Sequence, residues 1–177
     1  MTKETIIHPP RTMMEVFKSL PEGTNVQLIQ NQLIMSPAPS TTHQKILGRI
    51  FKKLDDFVEK NELGEVGLAP YDVYLDDENA YQPDILFVSK ENGYKIQENG
   101  LHGAPDLVIE ILSPSNASYD KKGKKDIYEK AGVKEYFMVD PYTKNVSHFL
   151  LVQDEYHELE NTTGEFVSVI LNTSFKC

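Results

Sequence analysis

The sequence predicts a mixed α/β fold built on a central sheet, and three observations carry that prediction. PDLVIEILS, residues 105 to 113, is apolar on both faces, as a central strand covered on each side would be. A helical stretch, YDKKGKKDIYEKA, follows it and leads into EYFMVD, which can pair parallel to the first strand through a right-handed crossover. A longer helix is written upstream by Ile46, Leu47, Ile50, Leu54, Phe57 and Val58. With 177 residues and no repeat or linker, the chain is expected to form a single domain over residues 1 to 177.

Taken in order, RTMMEVFKSL predicts a short helix ended by Pro21, because the residue before a proline is pushed out of helical geometry. NVQLIQ and QLIMS read as two short strands around a tight turn at Asn31. Pro37-Ala38-Pro39 forbids regular structure until Ser40, which with Thr41 is a candidate N-cap for the long helix ending near Asn61. DVYLDD and PDILFVS are β-rich, and ENGYKIQENGLHG is a loop before the central strand. Gly132 caps the helix over residues 119 to 131. EYFMVD, VSHFLLV, EYHELE and FVSVIL complete a β-rich tail.

Composition narrows the functional classes. The chain is 40% hydrophobic and 25% charged, and no apolar run approaches the ~20 residues of a membrane-spanning helix. Its start, MTKETIIHPPRTM, lacks a signal or transit character, so a cytoplasmic protein with no membrane partner is expected. The single cysteine, Cys177, excludes an internal disulfide and a cysteine-based metal cluster. A net charge of -9 argues against coating nucleic acid by overall electrostatics, but not against a local phosphate site. Against that background Lys121-Lys122-Gly123-Lys124-Lys125 stands out, although a solvated helix face is its ordinary reading.

Glu110 is the misfit in the central strand. A carboxylate taken into low dielectric costs several kcal/mol even after relaxation, so it must be paired, protonated or bound to a cation. Asp106 shares its strand face but lies ~13 Å away at ~3.3 Å per residue. Asp84, in QPDILFV, is the better partner: Pro83 marks a strand start or edge, and neighbouring strands would let Asp84 and Glu110 converge on one divalent cation. Hard cations such as Mg²⁺ accept two carboxylates, water and a substrate phosphate. A nearby lysine would complete a site for phosphodiester cleavage by neutralising developing charge or orienting water. Lys124 is the favoured lysine, fourteen residues after Glu110. Lys121 lies one helical turn earlier and Lys125 about 100° further round, and geometry decides among the three.

The assembled residues resemble the PD-(D/E)XK nuclease superfamily and, more closely, the Uma-two family of restriction-endonuclease-like proteins. The resemblance rests on MSPAPSTTHQ (Met35 to Gln44), QPDILFV, the segment GAPDLVIEILSPSNASYDKKGKKDIYEKAGVKEYFMVDP (Gly103 to Pro141) and the β-rich tail. It implies a restriction-endonuclease-like α/β/α core with additional β-rich N- and C-terminal segments, and a Mg²⁺-dependent endonuclease, with Mn²⁺ as a substitute, acting on DNA. Asp84 and Glu110 would be metal ligands and Lys124 the catalytic lysine. In such proteins the lysine of the usual E-x-K motif is supplied from the next helix, and here Leu112 occupies the position two after Glu110. The family's Asp, Lys and Tyr correspond to Asp120, Lys124 and Tyr128. A homodimer would suit cleavage of two strands.

His43, in the first turn of the long helix, is a secondary candidate as acid, base or substrate contact. Asp106 and Tyr128 are further secondary candidates, with loop shaping and core packing as their respective structural roles. Ser113-Pro114-Ser115 reads as a turn toward the helix rather than a nucleophile. One departure favours the rival reading of a weak or inactive nuclease fold used for interaction. Many relatives carry an acid in the strand before SPAP, where this chain has Gln27, Gln30, Asn31 and Gln32. A carboxylate-pair sugar hydrolase is a third class, which the basic cluster weighs against.

Overall fold

The computed structural model describes residues 9–176 other than Glu22, Ser36 and 114–118, with residues 119–122 described as helical backbone only. The expected turn at Pro114 and Ser115, and the side chains of Asp120 and Lys121, therefore lie outside the described residues. In chain order the elements are α1 (Met13–Lys18), β1 (Val26–Ile29), β2 (Gln32–Met35), α2 (Thr41–Lys60), β3 (Gly64–Leu68), β4 (Val73–Tyr74), β5 (Ala80–Tyr81) and β6 (Ile85–Ser89). A 3₁₀ turn over Lys90–Lys95 leads to β7 (Ile96–Gln97), β8 (Gly100–His102), β9 (Leu107–Ile111) and α3 (Tyr119–Ala131). The remainder is β10 (Glu135–Val139), β11 (Asn145–Val152), β12 (Glu155–Glu158), β13 (Thr162–Thr163), β14 (Glu165–Ser168) and β15 (Thr173–Lys176).

The main sheet runs β12-β11-β10-β9-β6-β3, with β13 beside β11. β10 lies parallel to β9 in the register Glu135↔Leu107 to Val139↔Ile111, the arrangement expected of two strands joined by a helix. β6 runs antiparallel to β9, with Ile85 opposite Ile109 as the pair nearest Glu110. Strand alternation sorts the side chains of β9 between two cores. Leu107, Ile109 and Ile111 join Ile46, Leu47, Ile50, Leu54 and Val58 of α2, while Val108 joins Ile127 and Tyr128 of α3. The sheet is thus covered by α2 on one face and α3 on the other, and Glu110 belongs to the α3 face.

A second sheet, β2-β1-β5-β4-β8-β7, was not legible as a unit from local pattern. Four of its strands are two or three residues long, and they exist through pairing with distant segments rather than through intrinsic preference. Val73 of β4 and Leu101 of β8 pack against Leu86 and Val88 of β6, which attaches this sheet to the main one. At its far edge, positive φ at Gln30 (47°) and Asn31 (64°) forms the tight turn joining β1 to β2. α1 closes that end by burying Met14 and Phe17 against Val26, Leu28 and Ala80.

Local signals explain the helix boundaries. The Ser40 hydroxyl accepts from the His43 N–H at 3.2 Å, so the cap that starts α2 also fixes the place of His43. Gly132, at φ 85°, ends α3 in the left-handed conformation that glycine tolerates. β3, whose GEVGL pattern is weakened by two glycines, and β5, β13 and β15 carry no strand signal of their own, and the segment ENGYKIQENGLHG, expected as a loop, holds the 3₁₀ turn, β7 and β8 because its short strands pair with each other and with β4. Gly64 is there for contact: a Cβ would lie 2.0 Å from the Val88 carbonyl oxygen of the adjoining strand.

Candidate active site

Glu110 and Asp84 meet at the end of the β6–β9 ladder. Extending the register by one position beyond Ile85↔Ile109 sets Asp84 across from Glu110, and both line one cleft of about 630 Å³. Beyond Ile85 the ladder is continued by a side chain: Asp84 Oδ2 accepts from the Ile111 N–H at 2.7 Å. The same oxygen lies 3.1 Å from His43 Nε2 on α2. Asp84 therefore ties the first turn of α2 to the open end of β9.

From the other face, α3 brings Lys124 and Tyr128. Lys124 Nζ donates to Glu110 Oε1 at 3.0 Å, and the Tyr128 hydroxyl donates to the same oxygen at 2.8 Å. The two side chains are four residues apart, one helical turn, so a single helix face delivers both. Lys124 is only 8% exposed, which excludes the solvated-face reading for this residue. Lys125 points elsewhere, its ammonium 4.9 Å from the centroid of the Phe149 ring.

Electrostatics follow from burial and crowding. Burial, reinforced by the Asp84 carboxylate, pushes Glu110 from its ordinary 4.5 up to about 7, although Lys124 and Tyr128 pull the other way. Burial works against a charged His43, but the hydrogen bond with Asp84 and the carboxylates of Asp84 and Glu110 outweigh it, and its pKa is raised. Tyr128 is pushed well above the ordinary phenol value by burial and then by Glu110, so it serves as a donor. The site holds two carboxylates, a buried ammonium and an imidazole disposed to keep a proton.

Of the six residues singled out by sequence, five converge: His43, Asp84, Glu110, Lys124 and Tyr128. Asp106 does not. At the opposite end of β9, its carboxylate accepts from the Ser89 N–H at 2.8 Å, from Asn92 Nδ2 at 2.8 Å, and from Lys134 Nζ at 2.6 Å. Burial would raise its pKa, but Lys134, Asn92 and Ser89 more than offset this and lower it. Asp106 anchors the 3₁₀ turn to the sheet, the loop-shaping role, because four residues along a strand is too far to share a ligand with Glu110.

Gln27, where the resemblance expects an acid, lines the cleft, and its Oε1 accepts from the Gln82 N–H at 3.2 Å. Gln82 itself was missed. It contributes to the cleft and donates through Nε2 to Asp72 Oδ1 at 2.8 Å. Its position directly before Pro83-Asp84 is the one signal that pointed to it. Ala69 and Pro70, joined by a cis peptide, also line the cleft without any sequence signal of a role.

Comparison with known proteins bears on the family and the fold. The chain is 24% identical over 148 residues to an uncharacterized protein of Synechocystis sp., spanning 78% of this chain and 79% of that protein. The crystal structure of a protein from Anabaena variabilis, described as a putative nuclease belonging to DUF820, superposes with a TM-score of 0.68 at 25% identity, covering 84% of each chain. The family model Uma2, described as "Putative restriction endonuclease", matches residues 14–175. With nearly its whole length matched, the chain belongs to the Uma2 family.

Proposed function

We propose that this protein is a metal-dependent nuclease that hydrolyses phosphodiester bonds in DNA. The observation that carries the reading is the convergence of Asp84, Glu110 and Lys124 in one cleft, from two strands and a helix. The family description and the nuclease naming of the Anabaena variabilis neighbour support it.

The donor set fits a hard divalent cation. Among the described residues each carboxylate makes its hydrogen bonds through one oxygen only, Oδ2 of Asp84 and Oε1 of Glu110, which leaves Oδ1 and Oε2 to serve as ligands. Among the described residues there is no group of three His, Cys, Asp or Glu side chains disposed to hold a metal. Two carboxylates completed by water and substrate is the pattern of Mg²⁺, with Mn²⁺ as its substitute, rather than of a closed protein cage. Bound there, the cation would act as a Lewis acid on a phosphate oxygen.

The chain's own residues supply the remainder. Lys124 holds the Glu110 carboxylate and keeps a positive charge where negative charge accumulates on phosphate. Tyr128 fixes the rotamer of Glu110 through their shared hydrogen bond. His43 orients Asp84 and, with its raised pKa, keeps a proton near the site that an oxyanion leaving group requires. Gln27 in place of an acid favours a second reading, a nuclease fold retained for interaction without turnover.

Incubation of the full chain with single- and double-stranded DNA and Mg²⁺ or Mn²⁺, beside Glu110→Gln and Lys124→Ala, decides between them. Metal-dependent cleavage by wild type that falls by ~100-fold or more in both variants is expected. No cleavage with either metal favours the interaction reading. Equal cleavage by all three proteins would remove the assignment of the site.

A further inference from the structure

We infer that the exposed face of α2 beside the cleft is a docking surface for the backbone of duplex DNA; the inference rests on the nuclease reading and specifies how its substrate is held. Lys45, Arg49 and Lys52 carry it. All three are exposed, and at about 100° per residue they fall within an arc of about 60°, opposite the buried stripe of Ile46, Leu47, Ile50, Leu54 and Val58. Lys45 and Lys52 lie about 10 Å apart along the axis at ~1.5 Å per residue. The stripe starts at Gln44, which with Ser40, His43 and Leu47 lines the cleft, so the cations lead away from the site along the helix. Lys53 has another task, donating to the Lys176 carbonyl oxygen at 2.8 Å.

Two features of this stripe work against the helix that carries it. Opposite charges four residues apart support a helix, and like charges there weaken it. α2 sets Lys45 before Arg49 and Arg49 before Lys53, and holds its acids, Asp55, Asp56 and Glu59, in the turns that follow, although the chain has 27 Asp and Glu against 18 Lys and Arg. Gly48 lies between Lys45 and Lys52 along the helix; it is exposed, and a Cβ there would meet nothing within 4 Å. No packing calls for glycine at that point, and glycine weakens a helix interior relative to alanine. Both misfits have one explanation. Clustered cations take successive phosphates, and bare backbone among them lets a sugar–phosphate chain approach closely. The exposed residues of the stripe, Gln44, Lys45, Gly48, Arg49 and Lys52, include no aromatic side chain on which an unpaired base could stack, so the surface suits a duplex.

Binding of the full chain to a fluorescent DNA duplex, and to one of its strands alone, is measured by anisotropy in EDTA over a range of salt. Cleavage of the duplex is measured with Mg²⁺ or Mn²⁺. Three phosphate contacts contribute about −2.7 to the slope of log affinity against log salt, a fall of roughly 40-fold between ~50 and ~200 mM. Each of Lys45→Gln, Arg49→Gln and Lys52→Gln should make the slope shallower by about 0.9 and weaken duplex binding roughly five- to tenfold at ~50 mM salt, raising KM with little change in kcat. Gly48→Gln should weaken duplex binding by at least ~3-fold while raising Tm, whereas a purely structural role for this glycine would lower Tm. Lys90→Gln, at an exposed lysine of the 3₁₀ turn, should leave binding unchanged. Duplex binding whose slope none of the three cation substitutions changes, or tighter binding of the single strand, would overturn the inference, and cleavage by wild type would then leave the hydrolytic reading standing. Duplex binding that the three substitutions weaken, without cleavage by wild type, defeats the hydrolytic reading alone. Neither binding nor cleavage defeats both.

Discussion

Replacing Glu110 by glutamine should separate stability from activity. Burial first, and then the neighbouring Asp84 carboxylate, raises Glu110 from 4.5 to about 7. Between those values the folded chain holds a proton that the unfolded chain has released. The stability gained from the neutral form is therefore fully present below the unfolded value near 4.5 and lost as pH rises through about 7. At about 1.36 kcal/mol per pH unit, the displacement from 4.5 to about 7 amounts to about 3 kcal/mol. Glutamine matches the neutral acid in shape and does not ionise. Near pH ~5 the two proteins should differ little, and near pH ~8 the variant should be the more stable by about 3 kcal/mol, while losing cleavage. Urea unfolding of both proteins across this range in EDTA, with ΔG extrapolated to water, measures the difference. Parallel stability profiles for wild type and Glu110→Gln would refute the claim that this carboxylate is held in the fold at a cost.

Other outcomes follow from the same contacts. Tyr128→Phe removes a donor from Glu110 Oε1, so it should cost about 1.5–3 kcal/mol at alkaline pH and move the acid limb of the pH–rate profile upward. Asp106 has a lowered pKa, so its contribution is present above the unfolded value near 3.8 and lost as pH falls through the folded one. Asp106→Asn should be less stable at neutral pH and unfold over a shallower acid transition, read by circular dichroism. Glu135 is fully buried and accepts from His148 Nε2 at 2.8 Å, Ser168 Oγ at 2.5 Å and the Val169 N–H at 2.6 Å. Glu135→Ala should cost about 3–5 kcal/mol and speed hydrogen exchange at Val169 and Leu171. Gln27→Glu adds a carboxylate to the cleft wall, and calorimetric titration should show Mn²⁺ binding about tenfold more tightly, a gain of ~1.4 kcal/mol.

The core of the site was legible because each of its parts leaves a local mark. A charge inside LVIEI has few explanations, and a lysine and a tyrosine four residues apart on one helix must face the same way. The pairing of His43 with Asp84 left no such mark, since 41 residues separate them and only the packing of α2 against the β6–β9 edge brings them together. The second sheet was illegible for the same reason, its strands being too short to carry a period of their own. Asp106 was legible through the strand's rise alone. It shares the strand face of Glu110 and the same residue chemistry, but the rise of the strand carries it to the far end, where Asn92 and Lys134 engage it.

Asp84 completes the strand ladder as well as facing the cleft, and this has a consequence for descent within the family. Its carboxylate supplies the acceptor that the Ile111 amide lacks once β6 has ended, and it anchors the first turn of α2 through His43. A lineage that ceased to cut nucleic acid would still face a folding penalty on replacing this aspartate, since a buried amide left without an acceptor costs about 1–3 kcal/mol. Selection for a folded chain would then preserve the acid after selection for catalysis had lapsed. Lys124 and Glu110 form a buried ion pair, and such a pair can be replaced by apolar side chains at little cost to the fold, so this pair is where decay of the chemistry among relatives should first become visible.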